Sequence, residues 1–182
     1  MGDDSARERL RQQIKAKAVV LGKVILSSGS EANYYVDLRR VTLAGEAAPL
    51  VGEVMLDLAA DLDFDAVGGL TLGADPIAMA MVFAAARRGQ CLDAFVVRKE
   101  GKAHGLQRRI EGPDVAGRRV LALEDTSTTG ASVLAAVAAL REAGAEVVGV
   151  GVIVERGARA AVTEACGLPY RAAFELVDLG LA

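Results

Sequence analysis

Tryptophan is absent from this 182-residue chain, and aromatic residues are only 4% of it. An aromatic-rich sandwich core is therefore a poor match. The apolar residues, 52% of the sequence, are mostly Ala, Val and Leu, a palette that suits a sheet covered by helices. Cysteine is scarce too: Cys91 and Cys166 are the only two. That excludes a disulfide framework and suits a reduced setting, with both residues acting as small apolar side chains. Long apolar runs are missing. The longest, Pro76 to Ala86, falls far short of the ~20 residues that span a bilayer. The N-terminal residues show no basic segment followed by an apolar one, so a secretory signal is not expected and a cytoplasmic location is. Net charge is low, −3. With so much apolar content this argues against disorder, and it gives no general basic face for nucleic acid. Two phosphate-binding fingerprints are also lacking. There is no G-x-x-x-x-G-K-[ST], and Gly149-Val150-Gly151 lacks the third glycine of a dinucleotide motif and sits inside a strand.

What is present is an alternation. Leu10, Ile14, Ala18 and Leu21 mark a helical face that predicts a stop at Gly22. Lys23 to Leu26 and Asn33 to Leu38 read as extended, with turn residues Ser27 to Ser30 between them. Leu50, Val51, Val54, Met55 and Leu58 give a second amphipathic helix. Strands follow at Ala66–Leu70, Leu92–Val97, Arg119–Leu123 and Glu146–Val154, with helices at Asp75–Arg87, Gly130–Ala143 and Arg159–Cys166. Tyr170 to Leu176 reads as a last extended run, and Arg98 to Pro113 as a polar, basic loop. This order predicts one α/β domain over residues 1–182: an open, mainly parallel sheet with helices on both faces. Ligands bind beyond the carboxyl ends of such strands, so the loops after Leu70, Val97, Leu123 and Val154 are the ones that matter.

The loop after Leu123 carries the most chemistry. An apolar strand runs into Glu124-Asp125, then Thr126-Ser127-Thr128-Thr129-Gly130-Ala131-Ser132, and a helix begins. A helix N-terminus attracts phosphate through its unpaired N–H groups and dipole. The hydroxyls of Thr126, Ser127, Thr128 and Thr129 add donors, and Gly130 permits close approach of the backbone. Glu124 and Asp125 repel phosphate, but they accept hydrogen bonds from vicinal hydroxyls such as those of ribose. A sugar phosphate is the ligand that satisfies both halves. An ordinary helix cap would need only one such residue.

After Val97 the chain reads Arg98-Lys99-Glu100-Gly101-Lys102-Ala103-His104-Gly105, with three cations and the sole histidine. A pliable cationic loop beside a phosphate cradle suits a diphosphate leaving group and could close over the site. Ser28-Gly29 precede Tyr34-Tyr35. By themselves these residues read as an ordinary hairpin with two partly buried tyrosines. Arg156, past the strand at Val154, can donate a fork of hydrogen bonds to an anionic base.

The segment 124–132 resembles the signature of the type I phosphoribosyltransferases, which bind 5-phosphoribosyl 1-diphosphate (PRPP). Arg98 to Gly105 resembles the R-K-x-x-K-x-H-G motif of the orotate phosphoribosyltransferases, and residues 26–37 resemble that family's base-binding hood. The resemblance runs from about Leu10 to Leu179 and implies the type I phosphoribosyltransferase fold, with residues 1–40 supplying an N-terminal helix and a small hood. It implies transfer of phosphoribosyl from PRPP to orotate in pyrimidine biosynthesis. Residues Arg98, Lys99, Lys102, His104 and Glu124 to Ser132 would bind PRPP. Ser28, Gly29, Tyr34, Tyr35, Thr128 and Arg156 would bind orotate, with backbone N–H groups of the Ser/Gly turn holding its carboxylate and the rings stacking on its flat base. Lys102 and His104 would assist the leaving diphosphate and reach into a second subunit's site, hence a homodimer. Mg²⁺ is implied as a cofactor carried by PRPP's own oxygens, without direct protein ligands. Two departures stand out. Ser27 replaces a lysine common in the family, and Thr71-Leu72-Gly73-Ala74-Asp75 replaces a Tyr-Lys pair seen in many relatives, with Asp75 expected to cap the next helix. A transferase for another base and a non-catalytic PRPP-sensing regulator are the alternatives.

Overall fold

The computed structural model describes residues 5–25, 31–99 and 109–181. The chain opens with α1 (Ala6–Gln13), whose first turn is closed by the Ser5 hydroxyl accepting from the Glu8 N–H at 3.3 Å. Leu10, Ile14 and Ala18 are fully buried along one face, as the periodicity predicts, and Ile14–Ala18 continues as a π-helical turn. The helix does not last to Gly22. Strand β1 (Val19–Ile25) takes over at the β-branched Val19-Val20, because these pair antiparallel with Val36 and Tyr35 of β2 (Glu31–Val36). β2 ends before Leu38, which instead leads into the short helix α2 (Arg39–Thr42). The β1–β2 hairpin is a separate two-stranded sheet, the small N-terminal hood.

The body follows: α3 (Ala48–Leu58), β3 (Ala66–Leu70), α4 (Ala74–Arg87), β4 (Asp93–Val97), β5 (Ile110–Glu111), β6 (Arg119–Ser127), α5 (Ala131–Glu142), β7 (Glu146–Glu155), α6 (Arg159–Cys166), β8 (Tyr170–Glu175) and α7 (Leu176–Leu179). The sheet order is β5-β4-β3-β6-β7-β8, parallel except for β5, which pairs antiparallel with β4. The fold is α/β, an open and mainly parallel sheet. β6 shows why both faces are covered. Leu121 and Leu123 join the core built with α1, α3 and α4, whereas Val120 and Ala122 join the core built with α5 and α6. Complete burial of such side chains contributes roughly 1.5–3 kcal/mol each.

Some boundaries differ from the sequence reading. β5 lies in the segment expected to be loop. β6 continues past Leu123 because Thr126 pairs with Val154 and Ser127 with Glu155; neighbouring-strand hydrogen bonds hold a polar stretch extended. The last strand stops at Glu175, where Glu175 and Asp178 form a reciprocal cap on α7. Asp75 does not cap α4. It accepts from the Thr71 hydroxyl at 2.6 Å, and Gly73 occupies the cap position. Among the described residues, no helix is long and apolar enough to cross a membrane.

Candidate active site

Strands β3 and β6 are neighbours, but the chain leaves β3 toward β4 and leaves β6 toward β7. Their carboxyl ends therefore flank the topological switch point, where open α/β sheets place ligands. A hollow of about 310 Å³ lies there, lined by Tyr35, Val36, Asp37, Arg39, Leu70 to Gly73, Lys99, Glu124, Asp125, Thr126, Ser132 and Arg156.

Glu124 forms its floor and is only 6% exposed. One carboxylate oxygen accepts from the Asp125 N–H at 3.1 Å; the other is buried with no hydrogen-bond partner among the described residues. Burial first, and the charge of Asp125 second, push this carboxyl up to about 8. Asp125 accepts from the Thr126 N–H at 2.6 Å. The turn after β3 presses against the pair: a Cβ on Gly73 would lie 3.0 Å from the Asp125 carboxylate and 3.0 Å from Glu124 Oε1. Glycine lets that turn close on the carboxylates without displacing them, whereas a Cβ there would oblige them to give way by a few tenths of an ångström.

The hydroxyl run divides by position. Thr126 lines the hollow. Ser127, 2% exposed, lies within the sheet near the Tyr170 hydroxyl, away from the hollow. Thr128 and Thr129 are exposed on the turn, with the Thr129 hydroxyl accepting from the Ala131 N–H at 3.4 Å. Gly130 caps α5 in the left-handed region at φ 80°, and a Cβ there would strike Val162 of α6 at 2.3 Å. Ala131 and Ser132, both exposed, open α5, in the first turn where backbone N–H groups lack partners within the helix.

Of the cations at the start of the basic loop, Lys99 lines the hollow, whereas the Arg98 guanidinium lies 3.4 Å from Glu111. Lys102 and His104 lie outside the described residues, as do Ser28 and Gly29. Tyr34 and Tyr35 are adjacent on β2 and so project to opposite faces. Tyr35 lines the hollow; Tyr34 packs against the core and carries the Arg156 guanidinium 5.6 Å from its ring centre. The expected pair of stacking rings is thus split. Arg156 lines the hollow, with its Nε buried and unpartnered among the described residues.

Sequence reasoning missed Asp37, Arg39, Thr71, Leu72 and Gly73 as lining residues. Asp37 and Arg39 form an ion pair at 2.8 Å, and Arg39 also feels the charge of Asp125. The available signal was a carboxylate followed two residues later by a cation just beyond the hood strand.

Residues 42–169 match the family model described as "Phosphoribosyl transferase domain". An orotate phosphoribosyltransferase of Streptomyces avermitilis is 69% identical over 180 residues, covering 98% of this chain and 99% of its own. The chain belongs to the orotate phosphoribosyltransferase family. Among solved structures, that of the Mycobacterium tuberculosis H37Rv orotate phosphoribosyltransferase in complex with PRPP superposes with a TM-score of 0.84 at 50% identity, covering 97% of this chain and 100% of that one. A phosphoribosyltransferase from Corynebacterium diphtheriae superposes at 0.86 with 54% identity, covering 97% of this chain and 99% of that one. The orotate phosphoribosyltransferase fold thus places its acidic pair, the α5 N-terminus and Arg156 around a single hollow.

Proposed function

We propose that this chain transfers the 5-phosphoribosyl group of PRPP to orotate, giving orotidine 5′-monophosphate and diphosphate in pyrimidine biosynthesis. The observation that carries the reading is the acidic pair Glu124-Asp125, one oxygen without a partner among the described residues, at the switch point ahead of the α5 N-terminus. Ribose hydroxyls donate to the two carboxylates, and the 5-phosphate is taken by the turn at Thr128 to Ser132. Arg156 and Tyr35 face the base, with Thr128 at the edge of the orotate position. The C1–N1 bond forms as the C1–O bond to diphosphate breaks; diphosphate leaves with the electron pair and N1 loses its proton. Chemistry of this kind is accelerated by positioning and charge compensation.

Lys99, Arg98 and the residues Lys102 and His104 compensate the charge on the departing diphosphate. Lys102 and His104 act across a homodimer interface, so each site is completed by its partner. Mg²⁺, carried by PRPP's own oxygens, would neutralise part of the diphosphate charge when bound. The hard oxygen donors lining the hollow are Glu124 and Asp125, a set that would suit a cation held mainly by substrate and water. The protein works in the cytoplasm, without a nucleic-acid or membrane partner.

The test is diphosphate release from PRPP, with and without Mg²⁺, in the presence of orotate, uracil, adenine or hypoxanthine. Turnover with orotate alone, dependent on Mg²⁺, is expected. Turnover with a purine and none with orotate would overturn the assignment.

A further inference from the structure

Arg156 owes little of its aim to its own side chain. Its Nε is buried without a hydrogen-bond partner among the described residues, and the ring of Tyr34 is its neighbour at 5.6 Å. A guanidinium so sparsely tethered takes its direction from the backbone that carries it. Upstream, the Arg156 N–H donates to the Ser127 carbonyl at 2.9 Å, extending the β6–β7 ladder by one residue. Downstream, the backbone is gripped by the preceding side chain. Glu155 Oε1 accepts from the Gly157 N–H at 2.5 Å and the Arg159 N–H at 3.1 Å. Its Oε2 accepts from the buried Tyr170 hydroxyl.

Glu155 is 7% exposed, and a carboxylate that deep is costly unless its bonds are made. Here they are. The Arg159 guanidinium stands 5.2 Å from the Tyr170 ring centre and pairs with Glu175 at 3.0 Å, so a cation sits beside the cluster. Burial works against ionisation of Glu155, but the Tyr170 hydroxyl and the N–H groups of Arg159, Gly157 and Ala158 outweigh it and leave the carboxyl below its ordinary value. Nothing in the transfer reaction calls for this carboxylate, which is not among the residues lining the hollow.

We propose that Glu155 is a positioning residue: by clamping the 156–159 turn from beneath, it holds the Arg156 guanidinium at the angle needed to meet an anionic base. The proposal rests on reading Arg156 as the orotate contact. It sets which substrate feels the loss most, because Arg156 rides directly on this turn, whereas the PRPP turn at Thr128 to Ser132 only abuts it through Gly130 against Ala158 and Val162.

The experiment compares Glu155→Ala, Glu155→Gln and Arg156→Lys by steady-state kinetics with each substrate varied, alongside melting temperatures. Glu155→Ala should raise KM for orotate roughly tenfold to a hundredfold, the scale expected when a contact group is displaced by about 1 Å, while KM for PRPP stays within about twofold. Glu155→Gln retains an acceptor for the two N–H groups and should recover most of the loss. Should Glu155→Ala fail to fold, Glu155→Asp serves in its place: it keeps the charge, draws the acceptor back by one methylene, and should raise KM for orotate several-fold. An unchanged KM for orotate, a parallel rise in both KM values, or a Gln variant no better than Ala overturns the positioning role. If Arg156→Lys leaves KM for orotate unchanged, the reading of Arg156 fails as well, which separates the two failures.

Discussion

Two glutamates end adjacent strands of one sheet at almost equal depth, Glu124 near the end of β6 and Glu155 at the end of β7, 6% and 7% exposed. Their surroundings are opposite. Glu155 has both oxygens occupied and is held below its ordinary value. Glu124 has an oxygen without a partner among the described residues, sits beside a second carboxylate and is pushed up to about 8. Depth alone therefore does not say what a buried carboxylate does. A satisfied one holds the fold; one left short of donors is waiting for a ligand that brings them.

The sharpest break of this contrast is the double variant Glu124→Gln/Asp125→Asn. It should lower kcat/KM for PRPP on the order of a hundredfold, two hydrogen bonds to ribose at about 1.5 kcal/mol each, with folding intact by circular dichroism; retained activity would mean that ribose is held elsewhere. Next is the pH dependence of stability. The folded-state value of Glu124 lies above the unfolded one, so its penalty is absent below about 4.5 and complete above about 8. Urea titrations should show Glu124→Gln gaining up to about 5 kcal/mol over the parent protein between pH 4 and pH 9, and a pH-independent difference would contradict the assignment. On the satisfied side, Tyr170→Phe removes one bond to Glu155 and should cost about 1 kcal/mol, read as a shifted denaturation midpoint. The smallest effect is expected at the rim. Arg39→Ala should raise KM for PRPP about threefold, as partly exposed pairs are weak, and the difference should vanish at high salt.

The sheet and its helices were legible because β3, β4, β6 and β7 are apolar runs separated by helices with clear periodicity. The acidic pair and Arg156 were legible because their chemistry is out of place at the end of an apolar strand. What escaped depended on distant partners. Residues 124–127 look like loop by composition, and pairing with β7 makes them strand; that alone buries Ser127 and separates it from Thr128. Tyr34 and Tyr35 look equivalent until the pleat sends them to opposite faces. Arg39 and the 71–73 turn enter the hollow through tertiary contact, which local pattern does not encode.

The closeness of Gly73 to the acidic pair has a practical use. An alanine there would add one methyl and oblige the carboxylates to shift by a few tenths of an ångström, without altering a single charge or hydrogen-bonding group. Such a protein would be a matched blank, identical in electrostatics and extinction, against which the heat of ligand uptake by the native chain could be subtracted.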